Sequence, residues 1–423
     1  MNPLSTSFAC LGLTLSCWAQ STLVVDAKGA MGKYMTITAA ITAAKSGDKI
    51  LVHPGTYTGL IDLNGKAISL TGITGKASDV VVTRLQDQYP ALQVRNHPTG
   101  LVSRFDSLTI ALPPSSPTFV LIAVAIDVNG GSGTVVFHNC NANERLSIQN
   151  LKGTVALTSC IVRVAKAPLF GLTGYVAQIH NTSQAFVHGC TFDAQYLQYF
   201  NQLTSTLDLN NTVLEMCRTS VTGATGQTQS RWSWHGGVGV SLTNARARFS
   251  GRVTDRILGG NGGNYAGVTY GGPGVYLVSS TLQWSGLTIQ GGTGGKGLRA
   301  PILGAGATVM NPIIPIVSPR SQFAVGAQTM VDLKSTPGAV SITWVSAGLL
   351  PLHTPFGILA IDLAQNLYGA VHIHDAKGLA AFNIDLRFVS QGSAGLHFGL
   401  QTVALTPSKA LMLSSPWIGI LGQ

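Results

Sequence analysis

Apolar positions along most of the chain fall in short alternating runs rather than at helical spacing. Ile68-Ser-Leu70, Val80-Val-Val82, Leu108-Thr-Ile110, Val135-Val-Phe137, Val155-Ala-Leu157, Phe186-Val187, Leu207-Asp-Leu209, Ala247-Arg-Phe249 and Leu282-Gln-Trp284 are set off by Gly, Asn and Ser. This pattern predicts many short strands with one face buried. Phe137, Leu157, Val187 and Leu209 recur at intervals of 20, 30 and 22 residues. One coil of a β-solenoid takes about that many, and more where a loop is inserted. At 123–140 and at 274–292, three strands and two turns fit within one coil. Antiparallel sandwiches also make short, closely spaced strands, so the repeat alone leaves both folds open.

Helical periodicity stands out at one place. Ile37, Ala40, Ile41 and Ala44 share a helix face, Thr36 can cap its start, and Gly47 after Lys45-Ser46 can end it. A short strand, Ile50-Leu51-Val52, and a turn at Pro54-Gly55 follow. The first coil of a solenoid exposes apolar interior and unpaired backbone, and an amphipathic helix across it covers both. Gly47, Asp48, Ile50, Val52, Pro54, Gly55 and Tyr57 fit the pattern GD-x-I-x-V-x-PG-x-Y. In this the segment resembles the N-terminal opening of pectin-lyase-like proteins. The resemblance implies a right-handed parallel β-helix and no particular activity, because members with this opening include many non-enzymes.

The expected protein is therefore all-β: a right-handed parallel β-helix with an N-terminal capping helix at 36–45 and coils from about 51 to 298, plus a small C-terminal β domain. The divisions are a signal peptide at 1–19, the β-helix at 20–306, a Pro-rich linker at 307–322 and a β-sandwich-like domain at 323–423. The Gly clusters between 259 and 297 predict turns with positive φ and flexible excursions beside the last coils. The end of the chain resembles the terminal module of some secreted bacterial proteins, a module that could also cap the open end of the helix.

Composition adds a location. Only 10% of residues are charged, against about 25% in ordinary domains, and Gly numbers 50. A surface that poor in charge must be rich in Ser, Thr, Asn and Gln, as in extracellular β proteins. The apolar stretch at 11–18 and the small residues at Cys17 and Ala19 predict export with cleavage after Ala19, although no Lys or Arg precedes the stretch. No apolar run of spanning length follows, so the mature chain is expected to have no transmembrane segment and to be secreted or held at the cell surface. Cys140, Cys160, Cys190 and Cys217 remain after cleavage. The first three occupy equivalent places, in FHNC, LTSC and VHGC, and should stack inward without bridging.

The net charge of +10 favours polyanionic partners. Export makes acidic polysaccharide or cell-envelope glycan the expected one, and not nucleic acid. Glycosidases need clustered carboxylates and calcium-dependent lyases need several at one site. Here 16 acids are scattered over 423 residues, and Asp127, Asp193 and Asp208 can meet only through stacking of coils. No cofactor or metal is expected, since His372 and His374 lack an evident third ligand unless His353 or His397 supplies it. The best binding candidate is the basic stretch 218–256, with Arg231, Trp232, Trp234, His235, Arg246 and Arg248 as the ligand-binding residues. Arg forks bind carboxylate and aromatic faces stack on sugars. The bland alternative leaves Arg246 and Arg248 on a solvated strand face. The expected function is non-catalytic binding of acidic polysaccharide. The alternatives are a lyase on uronate glycans with an Arg or Lys base, or a structural or adhesive surface protein.

Overall fold

The computed structural model describes residues 21–84, 90–112, 124–164, 174–194, 204–226, 228–229, 232–233, 235–263, 269–310, 314–321, 323–346, 349–354, 357–361, 363, 366–387 and 397–420. The expected signal segment 1–19 lies outside them. Among the described residues no helix is long and apolar enough to cross a membrane.

Three parallel sheets, one of eleven strands and two of nine, run side by side. Successive strands pass from sheet to sheet, and each pairs with the strand one coil away. Thr134–His138, for example, lies between Val102–Asp106 and Thr154–Thr158. The fold is a parallel β-helix. Its coils reach further than 51–298, from Thr22–Val25 to Thr308–Met310. The stretch 307–322, expected as linker, carries strands at both ends: Thr308–Met310 pairs within the β-helix, and Ile316–Pro319 pairs antiparallel with Gln328–Lys334.

Inside the coils, like positions stack in register. Leu70, Phe105, Phe137, Leu157, Val187, Met216 and Phe249 form one inward column, with the Phe105 and Phe137 rings 4.9 Å apart. Each such side chain contributes about 1.5–3 kcal/mol by burial. Leu209 does not belong to this column. It stacks between Ile179 and Leu242 in a nine-stranded sheet, and Met216 holds the place expected for it.

Two corners turn on single residues with positive φ. At one stand Ser107, Asn139, Ser159, Gly189 and Arg218; at the other Asn150, Asn181, Asn211, Asn244 and Ser279. Asn suits this conformation because its short polar side chain bonds locally. The second corner adds an external amide ladder, in which Asn181 and Asn211 each donate Nδ2 to the Oδ1 one coil earlier, at 3.1 and 3.0 Å. The residue after the first corner points inward. There Cys140, Cys160 and Cys190 stack, each Sγ facing a carbonyl of the preceding coil, at Phe105, Phe137 and Leu157, and all are buried and unbridged. Burial pushes the Cys140 and Cys190 thiols up, and Cys217 to about 12. Alkylation without reductant should therefore leave these four untouched in the native protein and label all four after denaturation; a mass showing a Cys140–Cys160 or Cys160–Cys190 link would refute the ladder.

The capping helix is Ile37–Ala43, with Thr36 Oγ1 accepting from Ala39 N and Ile37, Ala40 and Ile41 buried. Its C-terminus is not closed by Gly47. Ala44 is already extended, and Lys66 Nζ donates to the carbonyls of Ile41, Thr42 and Ala44 at 2.8–3.1 Å, placing a cation where the helix dipole is negative. Asp48 accepts from Ser21 N and Lys45 N, and Tyr57 OH donates to His53 O. These residues of the opening motif hold the cap in place.

The C-terminal unit packs a five-stranded antiparallel sheet (Val340–Ser346, Asn366–Ile373, His397–Leu405, Leu411–Leu413, Trp417–Ile420) against a three-stranded one (Ile316–Pro319, Gln328–Lys334, Leu379–Asp385). Phe323, Phe398 and Trp417 anchor its core with Val317, Val331 and Leu400. It lies on the flank of the β-helix, where Ile358, Ala360 and Ile418 cover Val136, Ala156 and Phe186 of the eleven-stranded sheet.

Candidate functional site

Of the six expected binding residues, His235, Arg246 and Arg248 are those whose side chains are described, and these three do not come together. Arg231 and Trp234 lie outside the described residues, and Trp232 is described only as part of a two-residue strand, Trp232–Ser233, paired with Thr228–Gln229. His235 is exposed on the corner that precedes strand Val238–Thr243. Arg246 is exposed on the corner that follows that strand, beside a shallow groove of about 570 Å³ also lined by Asn211, Asn244, Ser279 and Thr281. Six strand residues separate the two corners, about 20 Å.

Arg248 faces neither groove nor solvent. It is 5% exposed and donates Nη1 to Glu215 Oε1 at 3.0 Å and Nη2 to the Leu413 carbonyl at 2.8 Å. Ser415 Oγ donates to the other Glu215 oxygen at 2.9 Å. The C-terminal unit thus covers the guanidinium and takes Arg248 out of any surface a glycan can reach. Alternation along the strand predicts an outward side chain correctly; what it cannot carry is the neighbour packed on that face. Arg218 also turns to this interface, donating to Ser318 Oγ.

The glycine clusters have a different role from the flexible loops expected of them. Backbone bonds of 2.8 Å run from Gly237 N to Ala224 O, Gly260 N to Gly237 O, Gly272 N to Gly260 O and Gly292 N to Gly272 O. A Cβ on Gly260 would sit 1.8 Å from the Ala224 carbonyl, and one on Gly272 2.0 Å from that of Gly237. Only glycine lets backbone stack on backbone this closely. The corner is a ladder of peptide groups, and the side chains beside it are carried on a fixed base.

Four of those side chains cluster. Tyr270, 38% exposed, has Lys296 Nζ 4.6 Å and the Arg299 guanidinium 5.0 Å from its ring centroid. Lys296 also donates to Tyr270 OH at 2.9 Å, on a hairpin formed by Thr293–Gly294 and Gly297–Leu298. His235 Nδ1 accepts from Tyr270 N at 3.0 Å, with the two rings 5.6 Å apart. The hydrogen bond and charge of Lys296, then the charge of Arg299, hold the Tyr270 phenol below its ordinary range. Among the described residues, no carboxylate pairs with Lys296 or Arg299. Two cations fixed by one ring, with no anion between them among the described residues, can together hold a carboxylate or sulfate. Of the expected residues whose side chains are described, this cluster contains His235 and not Arg246 or Arg248. Tyr270, Lys296 and Arg299 went unrecognised because they sit inside the glycine-rich stretch; the signal was a tyrosine and two cations spaced by close-packed glycines.

Acid–base chemistry finds no assembled set among the described residues. Asp208 is bonded to His180 Nε2 at 2.9 Å, Asp193 to Arg163 at 3.1 Å, and Asp127 to Gln93 at 3.4 Å. Asp127 and Asp208 share a sheet but stand three coils apart, with Ser147 and Gln178 between them, while Asp193 is in another sheet. His374 uses both ring nitrogens, toward Ser341 Oγ and the Gly378 carbonyl, and His372 stacks on Phe382 at 4.6 Å. No group of three potential metal ligands occurs among the described residues.

No protein-family model matches the chain, and no curated protein matches it. Solved structures do. Pectin methylesterase PemA from Erwinia chrysanthemi is 11% identical over 68% of this chain and 89% of its own, with a TM-score of 0.29. Pectin methylesterase from carrot is 14% identical over 68% and 82%, with a TM-score of 0.30. ORF18 of Geobacillus virus E2 is 11% identical over 89% and 82%, with a TM-score of 0.31. Likeness at this level carries no argument about activity. The three parallel sheets, the capping helix and the corner ladders define the fold as a parallel β-helix, the fold that the opening motif implies.

Proposed function

We propose that the protein is exported and binds acidic polysaccharide, without cleaving it, at the glycine-ladder corner. The observation that supports this most is the pair Lys296 and Arg299, held on Tyr270 with no acidic partner among the described residues. His235, whose Nδ1 accepts from Tyr270 N, offers Nε2–H as a further donor, and strand Trp232–Ser233 adjoins it in sequence. Carboxylates along a polyuronate recur at every sugar, so one chain meets both cations in turn. Arg246 and the asparagine ladder offer a second polar contact on the next corner of the coil, suited to hydroxyl groups.

The test compares polygalacturonate with its methyl-esterified form, which has the same backbone without the charge. The acidic polymer should bind and the ester should bind weakly or not at all. Neither reducing ends nor unsaturated products absorbing in the ultraviolet should appear. Unsaturated product would make the protein a lyase, and equal binding of the two polymers would remove the cation pair from the account.

A further inference from the structure

At one end, the five-stranded sheet of the C-terminal unit carries polar side chains inward and apolar ones outward, while Val345, Phe398, Leu400 and Trp417 fill the core at the other. Its inner face carries Ser341, Thr343, Thr402 and His374, all buried, with Thr343 and Thr402 hydroxyls bonded at 2.7 Å and Ser341 bonded to His374 at 2.9 Å. The outer face carries Val340, Ile342, Val371, Ile373, Leu405 and Leu411. Register makes these six contiguous: Ile373 beside Val340, Val340 beside Leu405, Leu405 beside Leu411, and Val371 beside Ile342. All are exposed, Ile373 by 76% and Val371 by 67%. The outer face of the three-stranded sheet is different, with Gln328, Asp332 and Lys334 around Met330.

This apolar face continues one that is already an interface. Gln401 and Leu413 lie on the same side of the same sheet. Gln401 is fully buried, bonded to Ala360 N and to the Ile358 and Ser414 carbonyls, and the Leu413 carbonyl receives Arg248 of the β-helix. One end of the face is therefore docked on the β-helix flank, and the other projects past it uncovered. Together the six projecting side chains present roughly 500 Å², so a two-fold pair of such faces would cover about 1,000 Å², the size at which specific interfaces begin. A face of β-branched and Leu side chains is matched by another sheet face, and sheets pack face to face on such residues.

We infer that the projecting half of this sheet binds a second copy of the chain, forming a two-fold dimer through the C-terminal units. Sedimentation velocity of the full chain between about 1 and 100 µM should show a reversible monomer–dimer equilibrium. Val371→Thr with Ile373→Thr keeps branching and strand propensity while replacing methyl groups with hydroxyls; it should raise the dissociation constant at least about tenfold with an unchanged melting curve. Ile373→Lys should give monomer, and where that variant fails to fold the double threonine variant decides. A parent chain that stays monomeric to 100 µM would overturn the inference, as would a threonine variant that dimerises as tightly as the parent. A monomeric parent that co-floats with phosphatidylcholine vesicles would assign the face to lipid and overturn it equally.

Discussion

Between pH 6.5 and 3 the folded protein is expected to lose about 1.4 kcal/mol of stability per pH unit through His188 alone. His188 points outward from the eleven-stranded sheet, is 5% exposed, and lies under the edge of Trp417, 6.2 Å between ring centroids. Burial, and then the positive charge of Arg218, push its imidazole down to about 3. A histidine with a depressed folded pKa takes up its proton in the unfolded chain first. Its stabilising effect is complete above the unfolded value near 6.5 and drains away as pH falls toward 3. The whole span is about 5 kcal/mol. Glu215, whose carboxyl burial holds above its usual range, acts in the opposite sense: its effect is complete at low pH and is lost as pH rises through the folded value. Chemical denaturation at several pH values, on the parent and on His188→Leu, checks this. The substitution should remove one proton from the pH slope, and a slope unchanged by it would show that His188 is protonated in the folded state.

Arg248→Ala should lower stability by about 3–5 kcal/mol, because it leaves Glu215 buried and uncompensated between the β-helix and the C-terminal unit. Glu215 is fully enclosed, and its other donors, the Ser415 hydroxyl and the Ile358 backbone, belong to the C-terminal unit. Replacing both partners with apolar groups of similar volume, Arg248→Met with Glu215→Leu, should recover most of the loss, since the cost lies in the orphaned charge. Equilibrium unfolding of the single and double variants checks the pair. An Arg248→Ala protein as stable as the parent would mean that the flank contact is open in solution.

The two variants and the histidine concern the same surface, and that surface explains where sequence reading stopped. The capping helix, the inward cysteines and the strands of each coil were legible, because alternation and a recurring corner residue are local properties of the chain. Leu209 was placed in the wrong column because period alone does not say which sheet a strand joins. Arg248 was misjudged for a longer-range reason. Its outward direction follows from its strand, yet its burial depends on Leu413 and Ser415, more than 160 residues away, folding back onto that face. The binding cluster was hidden differently. Glycines that close-pack and glycines that flex look alike in sequence, so the stretch 259–297 reads as flexible excursions although its glycines form a hydrogen-bonded ladder. Among the described side chains of the expected site, His235 is the one in this cluster.

The central claim is that two fixed cations on this corner receive an acidic glycan, and calorimetric titration of polygalacturonate at two salt concentrations tests it most directly. For the parent, affinity should fall severalfold between about 20 and 150 mM salt, as screening weakens attraction to exposed charges. Lys296→Ala with Arg299→Ala should bind about fivefold more weakly or worse at low salt, taking about 1 kcal/mol for the lost exposed contacts, and should show a flatter salt dependence. A double variant that binds as tightly as the parent, with the same salt dependence, would contradict the account.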